Sequence, residues 1–422
     1  MRGLERQRRI YLGGVGGRRP RVPVDTKKLA RRARERMSSE AWAYVAAGAG
    51  GGRTMDANRA AFDRWRIVPR MLRDVSERDG SVELFGRRLD SPFMTAPIGV
   101  LELAHREADR AVARAAAAEG VPMVISNQAS TPMEEIAAEL GETPRWFQLY
   151  WSTSDDLVES LVSRAEACGC EAIAVTLDTT ILGWRTRDLD LAYLPFLRGM
   201  GIAQYTSDPV FRRLLDEPPA GDSPAREQPR PSPQALATLV QVLRHWPDGA
   251  WAGLRSGHAR KAVERFVQIY SRPSLTWEHL PFLRERTKLP ILLKGILHPD
   301  DARRALDAGI DGLIVSNHGG RQVDGSIATL EALPGIVEAI GGRMPVLLDS
   351  GIRGGADAFK ALALGATAVL VGRPYVWGLA AGGEAGVREV LQNLIAEFDL
   401  TMGLAGVTST TEIGPETLTR ID

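Results

Sequence analysis

Cysteine is nearly absent: the 422 residues hold two, Cys168 and Cys170, at the end of one predicted helix. They are too close together to bridge each other or to supply half a zinc site, so both read as helix and core residues in a reducing compartment. An excess of either charge is missing too. Lys+Arg 53 against Asp+Glu 52 leaves +1, and no whole-molecule field favours nucleic acid or a membrane surface. No apolar run approaches the roughly 18 residues of a membrane span. The N-terminus also lacks the apolar stretch of a secretory signal. These absences exclude a disulfide scaffold and set the expectation of a soluble cytoplasmic protein with neither nucleic acid nor membrane as partner.

What is there is ordinary globular usage, 44% hydrophobic and 25% charged, over enough chain for a large core. As a length prior this allows two or three domains, yet α/β barrels reach such a size as one. The charge is unevenly placed: residues 1–36 hold 13 Lys/Arg and 3 Asp/Glu. That basic tail carries few aromatics and no nucleic-acid motif, so it reads as a solvated arm or a subunit contact.

From residue 90 onward, short apolar runs alternate with amphipathic stretches. The runs are 93–100, 122–126, 145–150, 172–178, 290–296, 312–319, 345–351 and 368–374. They are continuous rather than alternating, as expected of parallel strands covered on both faces. Helix candidates with start and stop residues lie between them, at 105–120, 154–170, 299–309 and 355–366. Eight such units predict an α/β chain folded as a single (β/α)8 TIM barrel over 91–422, in preference to an open doubly wound sheet. Residues 1–90 read as the basic tail and a helical lead-in that covers the barrel's bottom. Residues 179–289 form a long insertion after strand 4, a lid by position, and its Pro- and charge-rich part 216–234 reads as mobile.

Polar residues gather at the C-terminal ends of these runs: Ser126, Gln148, Tyr150, Thr176, Asp178, Lys294, Ser316, His318, Arg321, Asp349, Arg353 and Arg373. That convergence describes a barrel mouth carrying a site. After strands 7 and 8, Gly351, Gly354, Gly355 and Gly372 let backbone amides approach a ligand. Arg353 and Arg373 add positive charge there, which together reads as a phosphate site. His318 alone among the six histidines follows a buried strand into a Gly-Gly turn, a position suited to a general base. Asp178 is placed to fix its tautomer, and Arg321 to pair with a carboxylate. The clusters GGVGG (13–17) and GAGGG (48–52) follow no strand and therefore do not meet the dinucleotide fingerprint.

SNHGGRQVDG (316–325), FQLY (147–150), LKG (293–295), DSGIR (349–353) and VGRP (371–374) together resemble the FMN-dependent 2-hydroxy acid oxidising family, from about residue 30 to the C-terminus. Within it, WRTRDL (184–189), FLRG (196–199), TSDPVF (206–211), the insertion and HPDDARRA (298–305) are most similar to the lactate 2-monooxygenase branch. The resemblance implies FMN as cofactor. Ala96 to Gly99, Ser126, Gln148, Thr176 and Ser316 would then line the ring and ribityl chain, with Lys294 beside N1/O2. Asp349, Gly351, Arg353, Gly372 and Arg373 would hold ribityl and phosphate. Tyr44 and Arg321 would bind the substrate carboxylate with Arg187 nearby, and Tyr150 would meet the 2-hydroxyl. His318, paired with Asp178, would remove a proton, and Gly99 would leave room for oxygen. The implied activity is oxidation of an (S)-2-hydroxy acid such as lactate by O2, with monooxygenase or oxidase outcome, in a homo-oligomer (tetramer or octamer). Thr180 stands where many family members have proline, which moves the chain away from the glycolate oxidase type, and Trp184 is a candidate to shape the mouth. Two alternatives stay open: a flavin dehydrogenase of another 2-hydroxy acid with an acceptor other than O2, and a flavin-free phosphate-binding barrel using Lys294 as a Schiff base.

Overall fold

The computed structural model describes residues 3–218 and 232–421. Eight strands form a closed parallel barrel: β1 (Phe93–Thr95), β2 (Met123–Ile125), β3 (Arg145–Tyr150), β4 (Ile173–Thr176), β5 (Ile291–Ile296), β6 (Gly312–Val315), β7 (Val346–Leu348) and β8 (Ala368–Val371), with β8 pairing back to β1. Their continuous apolar runs follow from burial on both faces. Inside the barrel, Met94, Val124, Trp146, Ala174, Leu292, Ile314, Leu347 and Leu370 form one cluster, while the outward side chains join the larger core beneath the helices. Each fully buried Val, Leu or Ile in these layers contributes about 1.5–3 kcal/mol.

Strand register decides what reaches the mouth. Tyr150 pairs with Thr176, and Thr176 with Lys294, so three polar side chains stand in one row at the C-terminal end. Past Lys294 the pairing of β5 with β6 shifts at Gly295, whose φ is +112°. A Cβ there would lie 3.0 Å from that of Asp178. Glycine at this bulge therefore lets Asp178 sit against the strand.

The lead-in differs from its expected position. A hairpin of two short strands, Val82–Leu84 and Arg87–Leu89, does close the bottom, with Phe85 against Trp146 at 5.7 Å. Helices α1 (Gly3–Val15) and α2 (Thr26–Arg34), however, pack along the last helix, Arg373–Ala405. Helices α3 (Ser39–Ala46) and α4 (Arg53–Asp63) lie at the opposite end, beside the His318–Gly320 turn. The helical pattern announced helices but not which end of the barrel they cover. GAGGG is the connection between α3 and α4, and GGVGG is the end of α1.

The described part of the insertion is largely helical. Of the segment 216–234, residues 219–231 lie outside the described residues, while Pro233 already belongs to a helix (Pro233–Arg244) capped by the Ser232 side chain. Among the described residues, no helix is long and apolar enough to cross a membrane.

Candidate active site

A cavity opens at the C-terminal end of the strands. Of the residues singled out in the sequence, Tyr44, Ala96, Gly99, Tyr150, Lys294, His318, Arg321, Asp349, Gly351, Arg353, Gly372 and Arg373 line it. Ser126, Gln148, Thr176 and Ser316 are buried in the barrel's uppermost polar layer. There Ser126 Oγ donates to Gln148 Oε1 at 3.1 Å and Gln148 Nε2 donates to Thr176 Oγ1 at 3.0 Å.

The acid–base end is built from three strands. His318, at φ +57°, is held in the left-handed region just after β6, and its backbone amide donates to Ser316 Oγ. Its Nδ1 lies 2.9 Å from Asp178 Oδ1, so Nδ1 carries the proton and Nε2 keeps its lone pair. Burial lowers the His318 pKa, outweighing the pull of Asp178 towards the charged form. Burial disfavours ionised Asp178, but the charges of His318 and Lys294 prevail and hold its pKa below the usual value. The resting pair is a neutral imidazole on a carboxylate, the state a base needs. Burial, reinforced by the Asp178 charge, pushes the Tyr150 phenol up to about 12, so it remains a donor.

Lys294 donates to Ser316 Oγ at 2.7 Å and stands 3.2 Å from Asp349 Oδ2. Burial opposes its charge, yet Asp349 and Asp178 outweigh that and raise its pKa. A Schiff-base lysine needs the reverse, a depressed pKa, so this ammonium speaks against the lyase alternative.

The rest of the cavity is cationic. Among the described residues none of Arg185, Arg321, Arg353 and Arg373 belongs to a salt bridge. Burial lowers Arg321 and Arg353 to about 10 and takes Arg373 well below its ordinary value. Arg373 donates only to carbonyls, those of Val45, Gly319 and Ala47, and through Nη2 to Met55 Sδ. Asp188 acts on Arg321 and Arg185, and Asp357 on Arg353, but none of these pairs comes to salt-bridge distance. Partly desolvated guanidinium groups balanced this incompletely are expensive, and anions placed among them would offset that cost. A ligand carrying a phosphate at the Arg353/Arg373 end and a carboxylate at the Arg321 end fits this distribution, as FMN with a 2-hydroxy acid does.

Three expectations are corrected. Arg187 does not reach the cavity: it is exposed and borders a separate groove with Trp42 and Asp190. Arg185 takes the inner position instead, buried at 5% exposure, with its guanidinium 5.9 Å from the Tyr44 ring, where Arg321 also lies at 4.9 Å. Gly99 does line the cavity, but the space its missing side chain leaves is already taken. A Cβ would meet Gln128 Cβ at 2.8 Å, so the glycine serves loop packing rather than an oxygen pocket. Trp184 is 71% exposed and Leu182 lines the wall in its place. Phe196 and Tyr270, both from the insertion, complete that wall. The substitution Arg185→Met is expected to raise KM for the acid substrate about 10–100-fold by removing a charged hydrogen-bond donor, while Arg187→Met leaves it unchanged. Steady-state kinetics on the two variants decide between the arginines.

The family profile described as FMN-dependent dehydrogenase matches residues 33–420. The chain is 41% identical to the FMN-dependent alpha-hydroxy acid dehydrogenase qulF of Penicillium citrinum, over 98% of this chain and 95% of that protein. It is 39% identical to an L-lactate oxidase of Lysinibacillus sphaericus, over 95% and 94%. A solved structure of mandelate oxidase with (S)-4-hydroxymandelic acid is similar at TM-score 0.76 and 38% identity, covering 94% of this chain and 98% of that one.

Proposed function

The chain belongs to the FMN-dependent dehydrogenase family, and from that premise we propose that it oxidises an (S)-2-hydroxy acid of lactate type at the 2-carbon, with O2 as the final acceptor. The observation that carries this reading is the juxtaposition of the His318 imidazole, neutral against the Asp178 carboxylate, with Tyr150 and with Arg321 and Arg185, neither of which forms a salt bridge among the described residues, at one cavity.

Arg321 and Arg185, steadied on the Tyr44 ring, bind the substrate carboxylate. Tyr150 donates to the 2-hydroxyl, and the free Nε2 of His318 takes the proton. Asp178 then stabilises the imidazolium, whose counterpart in the resting state is neutral. FMN, when bound, supplies the two-electron acceptor for this chemistry. Arg353 and Arg373 would hold its phosphate, while Lys294 with Ser126, Gln148 and Thr176 would face its ring, Lys294 supplying a fixed positive charge. The names of the relatives, L-lactate oxidase and mandelate oxidase among them, support O2 as acceptor. The reading extends to a homo-oligomer, for which the exposed Tyr11, Leu12 and Val15 of α1 offer apolar surface, and to the cytoplasm, which suits two free cysteines.

Turnover of (S)-lactate in air, followed by product analysis, is the test. Pyruvate with peroxide means oxidase chemistry, and acetate with CO2 means monooxygenase chemistry. Consumption of no 2-hydroxy acid at all would remove the reading.

A further inference from the structure

The insertion is fastened to the barrel at a cluster that the chemistry above does not use. Glu102, in the loop after β1, turns its two carboxylate oxygens towards two separate parts of the insertion. Oε1 accepts from the Gly201 amide at 3.2 Å, and Oε2 lies 2.6 Å from Nε2 of His245, just past the helix Pro233–Arg244. The Glu102 amide in turn donates to Ser130 Oγ in the loop after β2. The other ring nitrogen of His245, Nδ1, lies 2.8 Å from the carbonyl oxygen of Gln241. Both ring nitrogens therefore face acceptors, and both bonds form together only when the imidazole carries two protons. The hydrogen bond to Glu102 raises the His245 pKa, burial opposing it, in agreement with that geometry.

The surrounding charges are few. Arg198 donates to the Gln241 side chain and lies over the Tyr193 ring at 4.7 Å. Asp109, under the same loops, accepts from the Ser130 amide, and burial raises its pKa to about 7.

What this cluster joins is the site. Residues 96–99, a few positions before Glu102, form one cavity wall, and Phe196, shortly before Gly201, forms another. We propose that the Glu102–His245 pair is a positioning clasp that holds the insertion closed over the cavity and so sets how long the keto acid product stays there. The inference rests on the oxidation proposed above. A retained keto acid meets the peroxide formed beside it, RCOCO2H + H2O2 → RCO2H + CO2 + H2O, whereas an escaping one leaves as such.

The test uses the FMN-loaded enzyme and the variants His245→Gln and Glu102→Gln. Neither residue touches the catalytic groups, so flavin content and the rate of anaerobic flavin reduction should stay within about twofold. Hydrogen exchange over residues 195–205 and the ratio of free keto acid to decarboxylated acid should each rise about tenfold, as for loss of a charge-assisted hydrogen bond. In the unmutated enzyme that ratio should climb as pH rises through the imidazolium's raised pKa, because protonation is what closes the clasp. In His245→Gln it should be flat with Asp109 still present, and His245→Lys, which restores a cation, should recover the low ratio. Unchanged exchange and product ratio in both variants would overturn the proposal, as would an unmutated enzyme that releases all its keto acid at every pH. If no 2-hydroxy acid reduces the flavin, the proposed function falls, and the exchange measurement alone then decides whether the clasp exists.

Discussion

Replacing His318 by Gln is expected to slow flavin reduction by every 2-hydroxy acid about 10²–10⁴-fold while flavin content stays normal. Glutamine occupies similar volume but has no basic nitrogen to take the substrate's proton. The substitution leaves the arginines at the other end of the cavity untouched, so cofactor retention separates a chemical defect from a folding one. The same geometry fixes a pH dependence. The working form of His318 is the neutral imidazole, and burial lowers its pKa. Flavin reduction by the unmutated protein should therefore persist below the ordinary histidine value of about 6.5 and fail only as the pH drops through the depressed pKa. Asp178→Asn should cost less than His318→Gln, because the base remains while its imidazolium loses a charged partner. Stopped-flow reduction across pH measures all three.

Loss of the cofactor is the second large effect. The double substitution Arg353→Ala/Arg373→Ala removes two half-buried cations that have no salt-bridge partner among the described residues, at the place where β7 and β8 end. Two charged hydrogen bonds to a phosphate, at about 1.5–3 kcal/mol each, amount to about 10²–10⁴-fold in FMN affinity. The variant should purify with little flavin and regain it only at high added FMN, read from the flavin-to-protein ratio. Full retention of FMN would place the phosphate elsewhere. Arg353→Lys and Arg373→Lys, which keep the charge but lose the planar fork, should fall between the extremes.

The barrel was legible because its strands are buried on both faces and so stand out as continuous apolar runs, most of them ending in polar residues. Tyr150, Thr176 and Lys294 could be picked from such ends, and the register of β3, β4 and β5 does put them side by side. The misplacement of Arg187 has a local cause. Arg185 and Arg187 flank the start of a five-residue helix, Thr186–Asp190, too short for periodicity to say which one faces inward. Phe196 and Tyr270 went unnoticed because they belong to an insertion whose path over the mouth depends on tertiary contacts, such as the edge-to-face packing of Phe196 on Tyr44 at 6.3 Å. Gly99 illustrates the same limit. The glycine is visible in the chain, but that Gln128 fills the space beside it is a fact of packing.

Anaerobic mixing of the FMN-loaded protein with (S)-lactate and other 2-hydroxy acids tests the central claim most directly, since it isolates the step assigned to His318, Arg321 and Arg185 from everything oxygen does afterwards. The account predicts that the flavin absorbance bleaches, that one keto acid appears per flavin, and that the (R)-acids leave the flavin oxidised. A flavin that stays oxidised with every 2-hydroxy acid would contradict it.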